Sequence, residues 1–119
     1  MIQIFEICNK VLRSTTMNTV RTFNNSPITI RGSEDNILFK AIDIGTALCI
    51  NDITATVRNF GFDDMEQITM SSELFLTVIG VSNIMVIYKR RALTKVFTKW
   101  IWNVIRDIRH NDTRFLELN

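Results

Sequence analysis

One proline, one histidine, two cysteines and four glycines are all that this 119-residue chain holds of the residues that most often build metal sites, disulfide frameworks and phosphate loops. Cys8 and Cys49 match neither a disulfide framework nor a zinc spacing, and His110 alone does not complete a ligand set. Two reduced, buried thiols are expected. A single histidine near the chain end assembles no Ser/His/acid or Cys/His constellation, and no glycine-rich phosphate loop is present. His110 reads instead as a helix-terminal cation or cap. The pattern predicts a chain that is not an enzyme and takes no cofactor, no metal and no small-molecule substrate. Long apolar runs are missing too. "IMVI" falls far short of the roughly 20 residues a membrane span needs, and the N-terminus lacks a basic stretch followed by an apolar one. A soluble, non-secreted chain with no membrane partner is expected.

What is present suffices for a core. With 46% hydrophobic residues, one domain's worth of chain can close a modest interior without disulfides or metal. Net charge is only +2, but it is unevenly placed. Residues 1–87 carry six Lys and Arg against nine Asp and Glu, net −3, whereas residues 88–119 carry eight against three, net +5. Such polarity suits a protein that meets a polyanion with one end, and it is also common on ordinary solvated helices.

The opening "MIQIFEICNKVLRSTT" spaces Ile4, Ile7, Cys8, Val11 and Leu12 as an amphipathic helix does. The β-prone runs "TVRTF", "ITIRG" and "ILFKA", separated by the turn-rich "NNSP" and "GSEDN", predict a small antiparallel meander with Pro27 at a turn or strand start. In "AIDIGTALCINDITATVRNFGF" the period lengthens to that of a helix. Ile42, Ile44, Ala47 and Leu48 predict one short helix ending near Ile50. Asn51 or Asp52 can cap a second, with Ile53, Val57 and Phe60 on one face and Gly61 as its stop. The pair reads as a packed helix pair or, less favoured, as a helix-turn-helix presenting Thr54, Arg58 and Asn59 outward. Asp63, Asp64 and Glu66 lack the spacing of a cation loop and read as an acidic surface loop. "LFLTVIG" reads as a buried strand broken by Gly80 from "VSNIMVIYK", a segment whose period fits helix or strand.

The segment "KRRALTKVFTKWIWNVIRDIRH", residues 89–110, holds seven of the fourteen Lys and Arg residues against one carboxylate, Asp107. At about 100° per residue, Leu93, Val96, Phe97, Trp100, Ile101, Val104 and Ile108 share one broad side. Arg91, Lys95, Lys99, Trp102, Arg106 and Arg109 form a stripe opposite them. Trp100 reads as a core anchor, and Trp102 projects among the cations. The stripe holds no carboxylate to form i,i+4 pairs. Two readings stand level: an ordinary charged helix face, or a polyanion-binding face in which Lys and Arg neutralise phosphates and Trp102 stacks on a sugar or an unpaired base.

These segments carry a resemblance. "NNSPITIRGSEDNILFKAIDIGTALCINDITATVRNF" is similar to the BRO N-terminal (Bro-N) domain of large double-stranded DNA viruses, related to phage antirepressor domains. Phe39, Ala41, Asp43, Ile44, Gly45 and Asn51 stand at the positions of its strand-ending Phe, its Ala-x-Asp-Ile-Gly helix and the Asn before a second helix. "LTVIG" and "FTKWIWNVIRDIR" match two further blocks, the latter through Phe97, Trp100, Ile101, Val104, Ile105, Ile108 and Arg109. The order and spacing of the blocks, over roughly residues 20–110, carry the likeness; no single motif is highly specific. The chain departs from the pattern at Ser82 and in "YKRRAL", where a Ser-Lys-Lys-Pro-like turn is usual. The resemblance implies a viral regulatory domain that binds DNA, often joined to a different C-terminal domain, acting inside the infected host in the nucleus or a cytoplasmic viral factory.

The expected fold is α+β: a small antiparallel β-sheet packed with several short helices and one longer amphipathic C-terminal helix. Residues 1–18 form an N-terminal helix or arm, 19–110 the Bro-N-like domain and 111–119 a tail. The expected function is non-enzymatic DNA binding, to duplex ahead of single strands. Lys89, Arg90, Arg91, Lys95, Lys99, Arg106 and Arg109 hold phosphates with Trp102 beside them, and Thr54 and Arg58 reach base edges. The alternative is a protein-interaction module or homodimer joined through Trp102 and the N-terminal segment, since Trp and Arg are both enriched as interface anchors.

Overall fold

The computed structural model describes residues 17–118, with side chains through His110. The helix expected over the first sixteen residues, with Cys8, lies outside the described residues.

Among the described residues, five antiparallel strands form one sheet in the order β1-β2-β3-β5-β4. They are β1 (Met17–Phe23), β2 (Ser26–Ser33), β3 (Asn36–Lys40), β4 (Gln67–Met70) and β5 (Glu73–Thr77). The helices are α1 (Ala41–Ala47), α2 (Ile53–Asn59), α3 (Val78–Ile87) and α4 (Ala92–Leu118). The fold is α+β, as the changes of period foretell, and the first three strands are the expected meander. No helix among the described residues is long and apolar enough to cross a membrane.

Hairpin chemistry fixes the meander. Asn24 and Asn25 both take positive φ, 48° and 66°, as a two-residue type I′ turn requires, and Asn tolerates that region better than most residues. Pro27 is the second residue of β2, opposite Thr22. β2 pairs with β3 from Ile30 onward, so Thr29 lies beyond the end of that ladder. Asp43 of α1 accepts from the Thr29 backbone N–H at 2.9 Å, extending the pairing with a side chain. This is a structural role for the acid of the "AIDIG" stretch.

Two strands run straight into helices: β3 into α1 at Ala41, and β5 into α3 at Val78. The second junction is capped by Thr77, whose Oγ1 accepts from the Gly80 N–H at 3.1 Å and donates to the Met65 carbonyl at 2.7 Å. Gly80 therefore lies in the first turn of α3 and is not the break expected there. A Cβ at this position would sit 2.1 Å from the Glu66 carbonyl oxygen, so the glycine admits a passing loop. The segment after it, left open by its period, is helical because it continues from that cap.

The main core lies between one sheet face, with Ile28, Ile30, Ile37, Phe39 and Leu76, and the helices. Phe97, Ile101, Val104, Ile105 and Ile108 enter it from α4, and Phe23, Phe97 and Trp100 meet with ring centroids 5.1–5.6 Å apart. Trp100 is thus packed inward, as its place on the helical wheel indicates. Cross-strand register puts Arg31, Leu38, Lys40 and Phe75 on the opposite sheet face. There Leu38 and Phe75 are also buried, and the Arg31 guanidinium lies 5.4 Å from the Phe75 ring centroid.

Several inward and outward assignments change. Cys49 is exposed, contrary to the expected buried thiol, because it follows α1 in a left-handed conformation (φ 57°) that turns the chain outward. Phe60 is exposed and Phe62 buried, since Gly61 at φ 67° reverses the chain between them. Ile42 is exposed because α1 meets the core through Ala41, Ile44 and Gly45. On α4, Val96 points outward while Thr94 and Ile105 are buried, so the inward face is rotated toward Thr94 and Ile105.

Candidate nucleic-acid interface

α4 carries the candidate cations. Phe97, Ile101, Val104 and Ile108 lie within about 60° of one another on the wheel, and Lys95, Lys99 and Arg106 lie about 160° to 180° from Phe97. All three cations are exposed. The outward direction is a consequence of core packing: once the aromatic and aliphatic stripe is buried, these three positions have nowhere to go but solvent. Lys89 and Arg90 are exposed in the turn before the helix. Lys89, Arg90, Lys95 and Lys99 form no salt bridge with a carboxylate among the described residues, whereas the Lys40 ammonium on the sheet has Glu73 at 3.3 Å. From Lys95 to Arg106 the helix advances about 16 Å at 1.5 Å per residue. That is the rise of about five nucleotides along one strand of B-DNA.

The remaining members of the stripe lie on its flank, about 120° to 140° from Phe97. Their surroundings set them apart. Arg91 donates to the Leu48 and Cys49 carbonyls at 3.0 and 3.3 Å, at the C-terminal end of α1, and its guanidinium lies 4.7 Å from the Tyr88 ring centroid. This guanidinium caps a helix end, a use of Arg that its place in a basic run does not reveal. Arg109 has an interaction of its own and borders a groove of about 420 Å³ whose walls include Asp35 and Asp64. Arg106 donates to Asn103 Oδ1 at 2.6 Å, which steadies the side chain without neutralising it. Trp102 is 43% exposed and lines a shallow hollow of about 350 Å³ with Ile105, Arg106, Arg109 and His110.

The second candidate pair lies on α2. Asp52 caps this helix, its Oδ1 accepting from the Ala55 N–H at 3.0 Å. Ile53, Thr56 and Val57 face inward, leaving Thr54, Arg58 and Asn59 exposed. Gly45 allows α1 and α2 to close on each other, since a Cβ there would meet the Ile53 Cβ and Cγ2 at 3.1 Å. The helix pair is therefore packed, and Thr54, Arg58 and Asn59 face outward as the sequence indicates, whereas Ile42 and Phe60 do so against it.

Sequence reasoning missed Tyr88. Its hydroxyl and Thr56 Oγ1 are 2.8 Å apart across 32 residues of chain, joining α2 to the turn that bears Lys89 and Arg90. A lone tyrosine after an apolar helix carries no periodic signal of such a contact. The acidic loop is held by its own bonds: Glu66 Oε1 accepts from the Asp63 N–H, Asp63 Oδ1 from the Met65 N–H, and Glu66 Oε2 from Asn83. Among the described residues no group of three His, Cys, Asp or Glu side chains is placed to hold a metal ion.

These features define a class: a small α+β domain with a cationic helix face and a packed helix pair beside it. The chain matches no family model, no curated protein and no solved structure, so the likeness to the Bro-N domain rests on the quoted residues alone.

Proposed function

We propose that this chain is a nucleic-acid-binding domain of regulatory type, holding the phosphates of DNA on the outer face of α4. The observation that carries the reading is that Lys95 and Lys99, on successive turns, stand exposed with no carboxylate partner among the described residues. Like charges at this spacing repel by a few tenths of a kcal/mol, and an anion lying along the helix removes that repulsion. Lys89, Arg90 and Arg106 extend the face at either side; Arg91 contributes less because its guanidinium is engaged with the end of α1. The viral setting and intracellular location follow from the Bro-N resemblance and belong to the same proposal.

Counterion release supplies the test. Lys95→Gln/Lys99→Gln/Arg106→Gln should flatten the slope of log K against log salt for a 20-base-pair duplex by about 2 to 3 units, at about 0.9 for each phosphate no longer neutralised. An unchanged slope removes the face from the binding surface. The exposed Trp102 favours a second reading, self-association. Sedimentation at several concentrations decides it: a dimer dispersed by Trp102→Ala, with no duplex binding by the native protein, replaces the first reading with the second.

A further inference from the structure

Two candidate sets far apart in sequence, α2 with Thr54 and Arg58 and the turn with Lys89 and Arg90, are tied through Tyr88 and Arg91. The Tyr88 hydroxyl meets Thr56 Oγ1 at 2.8 Å. The Arg91 guanidinium lies over the Tyr88 ring at 4.7 Å. The same guanidinium donates to the Leu48 and Cys49 carbonyls in the α1–α2 connection. From these we infer that α2 and the α3–α4 turn form one composite surface for a duplex, with Tyr88 and Arg91 as the positioning residues that set the register between them. The inference rests on the nucleic-acid reading above and extends it from one helix face to two elements.

Thr54 and Arg58 each lie two residues from Thr56, about 160° away around α2. Tyr88 therefore holds the helix on the side remote from its exposed residues and leaves them accessible. α2 has only seven residues, too short to keep its own orientation without tertiary support. Gly45 of α1 lies against its Ile53 on one side and Tyr88 meets its Thr56 on another. Lys89 and Arg90 follow Tyr88 directly, so a phosphate held by them is held at a fixed offset from α2. A duplex satisfies both halves, since its backbone takes the cations while its groove edge offers the acceptors that an Arg or Thr side chain can read. A single strand presents phosphates without that fixed edge.

Phosphate contacts confer affinity on every sequence, and base contacts confer choice. Loss of positioning should therefore appear in choice. The measurement is the ratio of affinities for a duplex enriched by the native protein from a random-sequence pool and for a mixed-sequence 20-base-pair duplex, over a salt series. Tyr88→Phe keeps the ring under Arg91 and removes only the hydroxyl. It should lower the ratio by about 3- to 10-fold, the loss of one hydrogen bond's worth of alignment, without changing the salt slope. Thr56→Val should do the same, Thr56→Ser should restore the native ratio, and the double variant Thr56→Val/Tyr88→Phe should be no worse than either single one. By contrast Lys89→Gln/Arg90→Gln should weaken both duplexes in proportion and flatten the slope by about 1 to 2 units. Circular dichroism confirms that each variant is folded. A Tyr88→Phe ratio equal to the native one, or a fall shared equally by both duplexes, overturns the composite surface while leaving the α4 reading intact. Absence of duplex binding by the native protein overturns both.

Discussion

Thr94 and Lys95 are neighbours on α4 with opposite fates, and the difference is set by what each side chain meets. Thr94 is 2% exposed, and its hydroxyl has no hydrogen-bond partner among the described residues. Leaving such a group buried costs about 1–3 kcal/mol, so Thr94→Val, which keeps the shape and removes the hydroxyl, should raise stability by about 1 kcal/mol. A urea titration would show a higher midpoint with an unchanged slope; a lower midpoint would mean that the hydroxyl is satisfied. Residue identity is a fair guide where one property dominates. Asp52 as one of two candidate caps, Gly61 as a stop and Trp100 as an inward anchor are all legible. It fails where the decisive partner is distant in the chain. Arg91 looks like any member of a basic run until α1 ends against it, and the Tyr88 hydroxyl acquires meaning only when Thr56 arrives beside it.

Among the elements, the hairpins show how local chemistry and tertiary demand share the work. The β1–β2 turn uses Asn24 and Asn25 in positive φ, and its sequence announces it. The β4–β5 turn needs the same conformation at Ser71 and Ser72 (φ 51° and 65°), residues with less tolerance for it. Ser71→Asn/Ser72→Gly should therefore raise the midpoint of thermal unfolding by several degrees, equivalent to about 1 kcal/mol; a fall would show that the serines carry a contact beyond the turn. β4 itself reads in sequence as part of an acidic loop. It is a four-residue edge strand whose Gln67 and Thr69 dilute the apolar signal, and pairing with β5 is what makes it a strand. α4 is legible as a helix with one greasy and one charged side. Its rotation is not: Ile105 is buried and Val96 exposed because the body of the domain lies toward Thr94 and Ile105.

At the scale of the whole molecule, the net −4 of residues 17–87 (four Lys and Arg against eight Asp and Glu) and +6 of residues 88–110 (seven against one) become a spatial arrangement. The positive part is displayed on α4 and the turn before it, while Asp63 and Asp64 stand in the loop before β4. Displaying repelling cations costs stability, which implies a separable contribution of binding and folding. Lys95→Gln/Lys99→Gln/Arg106→Gln should leave the urea midpoint equal to or slightly above the native value, within about 0.5 kcal/mol, because substitutions on an exposed face change little and the one hydrogen bond lost, from Arg106 to Asn103, is itself exposed. A marked loss of stability would show these side chains to be structural.

Composition and periodicity were enough to determine an α+β chain able to close its own core, its meander, its short helix pair and a long helix that separates charge from grease. These properties depend on neighbours one to four residues apart, which the order of side chains states directly. Only the tertiary structure decided which cations stay free, which way α4 is turned, that β4 joins the sheet and that Tyr88 links α2 to the basic turn. Each of those depends on contacts between segments tens of residues apart, where packing of the folded chain selects among partners that local pattern leaves equivalent.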